Sequence, residues 1–155
     1  MKGGSPTRLA SSVEIIEALE ASAGADAVET LRQPHFRHRL PDSFEGSVSD
    51  SDTPVLFGSR ETPELKVDLT TTEPTSPEGR AAFAALVEAT DRVATDLSLE
   101  PGNLLIFDNR RWLHGRGKTI SSSSERWLLR SLFVYDSWRT QRGSESEQSE
   151  LVVYV

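Results

Sequence analysis

The sequence contains no cysteine, which excludes a disulfide framework, zinc–thiolate and iron–sulfur ligation, and a cysteine nucleophile. Apolar residues are scarce, 36% of 155 positions, and aromatics make up only 7%, so a modest core threaded by much loop is expected. No run approaches the roughly 20 apolar residues of a membrane span. The opening Met1-Lys2-Gly3-Gly4-Ser5-Pro6-Thr7 lacks the apolar segment of a secretory leader, and the expected location is therefore cytoplasmic. Basic residues are the minority, 17 Lys and Arg against 24 Asp and Glu, for a net charge of −7. That balance argues against duplex nucleic acid or a membrane surface as partner, because neutralising phosphates needs a basic footprint.

The length suits a single domain, expected over residues 1–142 and followed by a polar tail over 143–155. Charge is unevenly placed along it. Residues 102–142 hold eight basic and three acidic groups, a local +5, while the remainder holds nine basic and 21 acidic ones. An anion would be held in this last third, if it is more than a solvated basic face.

Ser11 and Ser12 precede Val13, Ile16 and Leu19 with interleaved glutamates, which predicts an amphipathic helix ended by Gly24. A second short helix is expected over 26–32, closed by Pro34, and a loop over 41–53. Short strands are expected over 55–57 and 65–69, on either side of Gly58 to Pro63. Ser76 and Pro77 open the strongest helix, expected to reach about Leu97 with Phe83, Leu86, Val87, Val93 and Leu97 on its apolar face. Residues 103–107 form an apolar run too short for a helix and predict a buried strand. The longest strand is expected over 126–135, and the composition of 143–150 is that of a disordered tail.

The 126–135 strand carries the most specific physical clue. Strand alternation puts Arg126 and Arg130 on one face with Leu128, Leu132 and Val134, about 13 Å apart at strand rise. Guanidinium groups directed toward an apolar interior need anions, supplied either by a protein carboxylate or by a ligand; the planar fork of arginine suits a carboxylate ligand. His114, after the 103–107 run, can be a metal ligand, a general base or a satisfied structural residue. Gly117-Lys118-Thr119 imitates the end of a phosphate-binding loop, but Leu113 occupies the position where that loop needs its first glycine. His35 and His38, bracketed by Pro34 and Pro41, read as exposed or strand-edge histidines.

Together, Pro101-Gly102-Asn103-Leu104-Leu105-Ile106-Phe107-Asp108-Asn109-Arg110-Arg111, His114-Gly115-Arg116 and Arg126-Trp127-Leu128-Leu129-Arg130 resemble the C-terminal signature of the Fe(II)- and 2-oxoglutarate-dependent dioxygenases. The branch is that of the clavaminate-synthase-like amino-acid hydroxylases within the taurine dioxygenase superfamily. The resemblance implies a mainly β fold with flanking α-helices, a partial double-stranded β-helix or jelly roll. It implies His114 as an iron ligand, Arg126 as the grip on 2-oxoglutarate and Arg130 as a contact of the substrate carboxylate. Looser likenesses upstream add Asp68 as a substrate contact and Thr7 as a hydrogen-bond partner of 2-oxoglutarate. The implied reaction consumes dioxygen, one oxygen atom entering succinate as 2-oxoglutarate is decarboxylated and the other hydroxylating an unactivated C–H bond in a small molecule, an amino acid or its derivative.

One feature of that pattern is absent. The iron site of the class needs a His-x-Asp or His-x-Glu motif beside the distal histidine, and the three histidines here lead to Arg37, Leu40 and Arg116 at the critical position. The expectation is a C-terminal half of the family fold, inactive alone, whose complement resides on a separate polypeptide or is lost by truncation. The alternative is a non-catalytic carboxylate-binding or interaction module derived from the same fold.

Overall fold

Seven short strands and three helices are present among the residues that the computed structural model describes, namely 5–38, 51–117 and 129–131. Strand β1 (Thr7–Ser11) runs straight into helix α1 (Ser12–Ala23), and α2 (Ala25–Leu31) follows after Gly24. Strands β2 (Phe36–His38), β3 (Leu56–Gly58), β4 (Pro63–Leu65) and β5 (Thr72–Pro74) lead to α3 (Pro77–Val93). Strands β6 (Thr95–Leu97) and β7 (Trp112–Arg116) complete the set. They form one three-stranded sheet in the order β6-β1-β7 and two antiparallel pairs, β2 with β5 and β3 with β4.

The helices begin where their capping chemistry places them. Ser76 accepts the Gly79 N–H at 2.9 Å and Pro77 occupies the first turn of α3. At α1 the expected N-cap, Ser11, makes no side-chain cap bond; the buried Ser12 hydroxyl instead donates to the Pro63 carbonyl at 2.6 Å, tying α1 to β4. Helix α1 buries Ile15, Ile16 and Leu19 against Leu86, Ala82 and Ala89 of α3, with Leu31, Phe36, Val55, Leu56 and Leu65 filling the same core. Val13, expected on that face, lies only half-buried while Ile15 is fully buried.

Three expectations are corrected. Helix α3 stops at Val93 rather than near Leu97, because Ala94 turns extended and the next residues pair with β1, Leu97 opposite Thr7. The two hairpin strands sit nearer their turn than expected, at Leu56–Gly58 and Pro63–Leu65. Gly58 has φ +74°, and a side chain there would run into the Thr62 carbonyl, so glycine sets the point where the chain reverses. The run 103–107 is not a buried strand: no hydrogen-bonded neighbour accepts it among the described residues, and Leu104 and Ile106 are 83% and 82% exposed. The strand expected over 126–135 lies outside the described residues except at 129–131, which are exposed and have no strand partner among the described residues. The tail over 143–155 and most of the 41–53 loop lie outside them as well.

The central sheet divides the molecule. Ala10 of β1 and Leu113 of β7 are register partners on the helix side, where Ala10 is 2% exposed and Leu113 packs on the core. Arg8, also on that side, donates to the Asp91 carbonyl of α3 at 3.0 Å. Thr7, Leu9, Trp112, His114 and Arg116 alternate onto the opposite face. Beyond β7 the pairing continues: the Gly117 N–H reaches the Pro6 carbonyl at 2.9 Å, and the buried Ser5 hydroxyl donates to the Gly117 carbonyl at 2.6 Å.

Glycines 115 and 117 make opposite demands. A Cβ on Gly117 would meet Pro6 Cγ at 2.6 Å and Asp96 Oδ1 at 3.1 Å, whereas one on Gly115 would meet nothing within 4 Å. Gly117→Ala is therefore expected to destabilise the fold by about 1–3 kcal/mol through overpacking against a rigid proline ring, with Gly115→Ala close to neutral. Paired thermal melts of the two variants check the contrast.

Candidate functional site

His114 occupies the centre of β7, directly opposite Leu9 of β1, and Thr7 stands opposite Arg116. Thr7 and His114 are thus diagonal neighbours on the sheet face turned away from the helices, within the reach of such pairs. The tight turn before β7 holds this register. Asp108 accepts the Arg110 N–H on its side chain at 2.9 Å, and its carbonyl accepts the Arg111 and Trp112 N–H groups at 3.0 Å each. The carbonyls of Arg110 and Arg111 then bind the N–H groups of Leu65 and Ser12. The turn is in this way locked to β4 and to the start of α1.

Two neighbours define the surroundings of His114. The Phe107 ring lies against the imidazole, with centroids 5.1 Å apart and planes tilted by 55°. The residue as a whole is exposed, yet crowding around the ring is the larger cause of a lowered imidazole pKa, and the Arg130 guanidinium is the second. Both causes favour the neutral form. A neutral ring keeps a lone pair for a metal ion or a proton.

Arg130 enters this neighbourhood through its field. It makes no hydrogen bond or ion pair among the described residues, and it is exposed rather than turned into an apolar interior as strand alternation predicts. Nothing among the described residues covers that face of 129–131. Arg126 lies outside the described residues.

Asp68 is held elsewhere, in the link between β4 and β5. Its carboxylate accepts the Thr70 N–H at 2.8 Å and the Thr70 hydroxyl at 2.6 Å, and these bonds, the hydroxyl first, lower its pKa. No hydrogen bond or ion pair among the described residues links Asp68 to His114. Its backbone N–H meets Thr72 Oγ1 at 3.2 Å, and the same hydroxyl lies 3.0 Å from His38 Nδ1. His38 stands on β2 as a strand-edge histidine, with its Nε2 buried and unpartnered; burial, then Lys66, lowers its pKa.

Sequence reasoning missed two parts of the site, β7 itself and the ring of Phe107. The alternation Trp112-x-His114-x-Arg116 is a strand signal, but it is masked by Gly115 and by arginines on both sides. A cleft of about 270 Å³ opens beside the first turn of α1, lined by Ser11, Ser12, Val13, Asp108, Arg111 and Trp112, and His114 does not border it. No group of three His, Asp or Glu side chains placed to hold a metal ion occurs among the described residues. No helix among them is long and apolar enough to cross a membrane.

Comparison with known proteins gives a consistent result. The family described as "Taurine catabolism dioxygenase TauD, TfdA family" matches residues 2–132. The L-asparagine oxygenase of Streptomyces coelicolor is 37% identical over 117 residues, which are 74% of this chain and 35% of that protein. Clavaminate synthase 2 of Streptomyces clavuligerus is 33% identical over 114 residues, 70% of this chain and 34% of that protein. Among solved structures, asparagine oxygenase in complex with Fe(II), 2S,3S-3-hydroxyasparagine and succinate superposes with a TM-score of 0.64 at 32% identity, covering 77% of this chain and 36% of that one. The chain spans about a third of the length of these relatives. The likeness gives the chain the fold of a partial jelly roll with flanking helices.

The electrostatic account of His114 predicts that Arg130→Gln raises its pKa toward the ordinary 6.5 without reaching it, since crowding remains. An NMR titration of the imidazole resonances checks this. His38 and His114 both have folded-state values below the free one. Each therefore contributes stability that is present above pH 6.5 and lost as pH falls through the folded value. Thermal melts between pH 7.5 and pH 5 should show this decline, flattened in His38→Gln.

Proposed function

The chain belongs to the taurine catabolism dioxygenase TauD, TfdA family, and from that premise we propose that it forms part of an Fe(II)- and 2-oxoglutarate-dependent oxygenase that hydroxylates an amino acid or its derivative. The observation that carries the reading is the position of His114: on a sheet face shared with Thr7, under the ring of Phe107, and within the field of Arg130. The relatives named asparagine oxygenase and clavaminate synthase support an amino-acid-like substrate.

The residues present fit the metal in part. A neutral imidazole is a suitable nitrogen donor, but the described residues hold no cluster of three ligands, and no His-x-Asp or His-x-Glu occurs in the 155 residues. The other two ligands come from outside this sequence, on a longer chain or on a separate polypeptide. Fe(II) with 2-oxoglutarate and dioxygen would supply oxidation of an unactivated C–H bond in this reading. The roles of this chain's residues are binding and orientation. Arg126 grips the distal carboxylate of 2-oxoglutarate with a two-pronged donor, and Thr7 hydrogen-bonds the same molecule. Arg130 meets the substrate carboxylate, and Asp68 contacts the substrate. These residues fall in an oxygenase-like domain over 1–142, with 143–155 as a tail.

A second reading is a carboxylate-binding module without oxygenase chemistry. The single histidine of the site among the described residues favours it, and Arg126 and Arg130 would then serve binding alone.

Succinate formation separates the two readings. The 155-residue chain with Fe(II), 2-oxoglutarate, L-asparagine and dioxygen is expected to form none, since one imidazole binds Fe(II) weakly. Adding a polypeptide that carries the His-x-Asp/Glu strand is expected to start turnover, and His114→Ala in this chain to abolish it. Turnover that survives His114→Ala would refute the assignment. In the assembled enzyme, Arg126→Lys should weaken 2-oxoglutarate binding by on the order of tenfold, because a point charge replaces a fork; calorimetry reads the change.

A further inference from the structure

Residues 103–107 have the form of a strand without its neighbour. They form no helix, turn or paired strand, and among the described residues the backbone of 104–107 makes no hydrogen bond; the only one at the start of the run is that of Asn103 to the Glu100 carbonyl at 2.9 Å. Their side chains keep strand alternation: Leu105 and Phe107 are half-buried, while Leu104 and Ile106 are 83% and 82% exposed. A segment of alternating burial whose N–H and C=O groups have no partner among the described residues, beside exposed aliphatic side chains, is a template for strand addition.

We propose that 103–107 is the docking edge for a β-strand of the polypeptide that completes the oxygenase fold. The proposal rests on the reading that the missing metal ligands lie outside this sequence, and it names the surface through which they arrive. The size of the missing part supports this occupant: the chain covers 35% of L-asparagine oxygenase, so about two thirds of such a fold has no counterpart here. Position supports it as well. Phe107 already rests its ring on His114 at 5.1 Å, so a strand laid along this run borders the one imidazole of the site. A second copy of this chain is the poorer occupant, since each carries a net charge of −7 and close approach of like charges opposes pairing.

The test begins with the 155-residue chain alone. Amide hydrogen exchange at 104–107 is expected near the unprotected rate in a monomer, with the β7 amides paired to β1 slowed at least tenfold by comparison. Protection of 104–107 in the monomer would overturn the proposal, and so would a homodimer protected there. The second stage mixes the chain with the remaining two thirds of Streptomyces coelicolor L-asparagine oxygenase, produced as a separate polypeptide. A one-to-one complex in sedimentation is expected, with new protection at 104–107 and affinity weakened at least tenfold by Leu104→Lys combined with Ile106→Lys. That variant should melt with the wild type, because both side chains are exposed. Absence of a complex, or one indifferent to the two lysines, would overturn the docking edge. A complex of the expected kind that releases no succinate would leave the edge standing and count against the oxygenase reading. Turnover by a complex indifferent to the lysines would do the reverse.

Discussion

Everything that gives this chain a site depends on β1 being paired on both edges. Five residues, Thr7–Ser11, bind β6 on one side and β7 on the other, and one of their faces is fixed by burial of Ala10 against the helices. Side chains alternate along a strand, so a slip of one residue would exchange the two faces. His114 would then point at α1 and α3, and Leu113 at solvent. The apolar demand of Ala10 and Leu113 is therefore what turns His114 outward. The Ser12 hydroxyl on Pro63 and the Ser12 N–H on the Arg111 carbonyl pin the end of the same strand.

Helices were the most legible elements, because their signals are local. Ser76-Pro77 predicts the start of α3 and Gly24 the end of α1 from chemistry within one turn. The strands were less legible because their partners are remote. Thr95–Leu97 continues a helical pattern on paper and becomes β6 only because β1, some 88 residues earlier in register, is there to accept it. The run 103–107 errs the other way: its composition is that of a buried strand, but burial requires a cover that the described residues do not supply.

The same distinction governs the site. His114 was identifiable because His-Gly-Arg and the arginines after it form a contiguous pattern. Phe107 was read only as part of an apolar run, since its contact with the imidazole depends on how the Asp108 turn folds the chain back. Asp68 was legible only by its order along the chain; among the described residues its carboxylate accepts the N–H and hydroxyl of Thr70, an Asx-type turn whose partner lies two residues on.

The clasp between Ser5, Pro6 and Gly117 joins positions 112 residues apart. Closing so long a loop is slow and entropically costly, and its cost is recovered only after the distant partners meet. The helices and the β3–β4 hairpin can form as soon as their own residues leave the ribosome, while β7 and its clasp must wait for residue 117. The imidazole face is consequently the last part of the described body to be assembled during synthesis, and until then β1 presents an open edge to whatever strand is nearest.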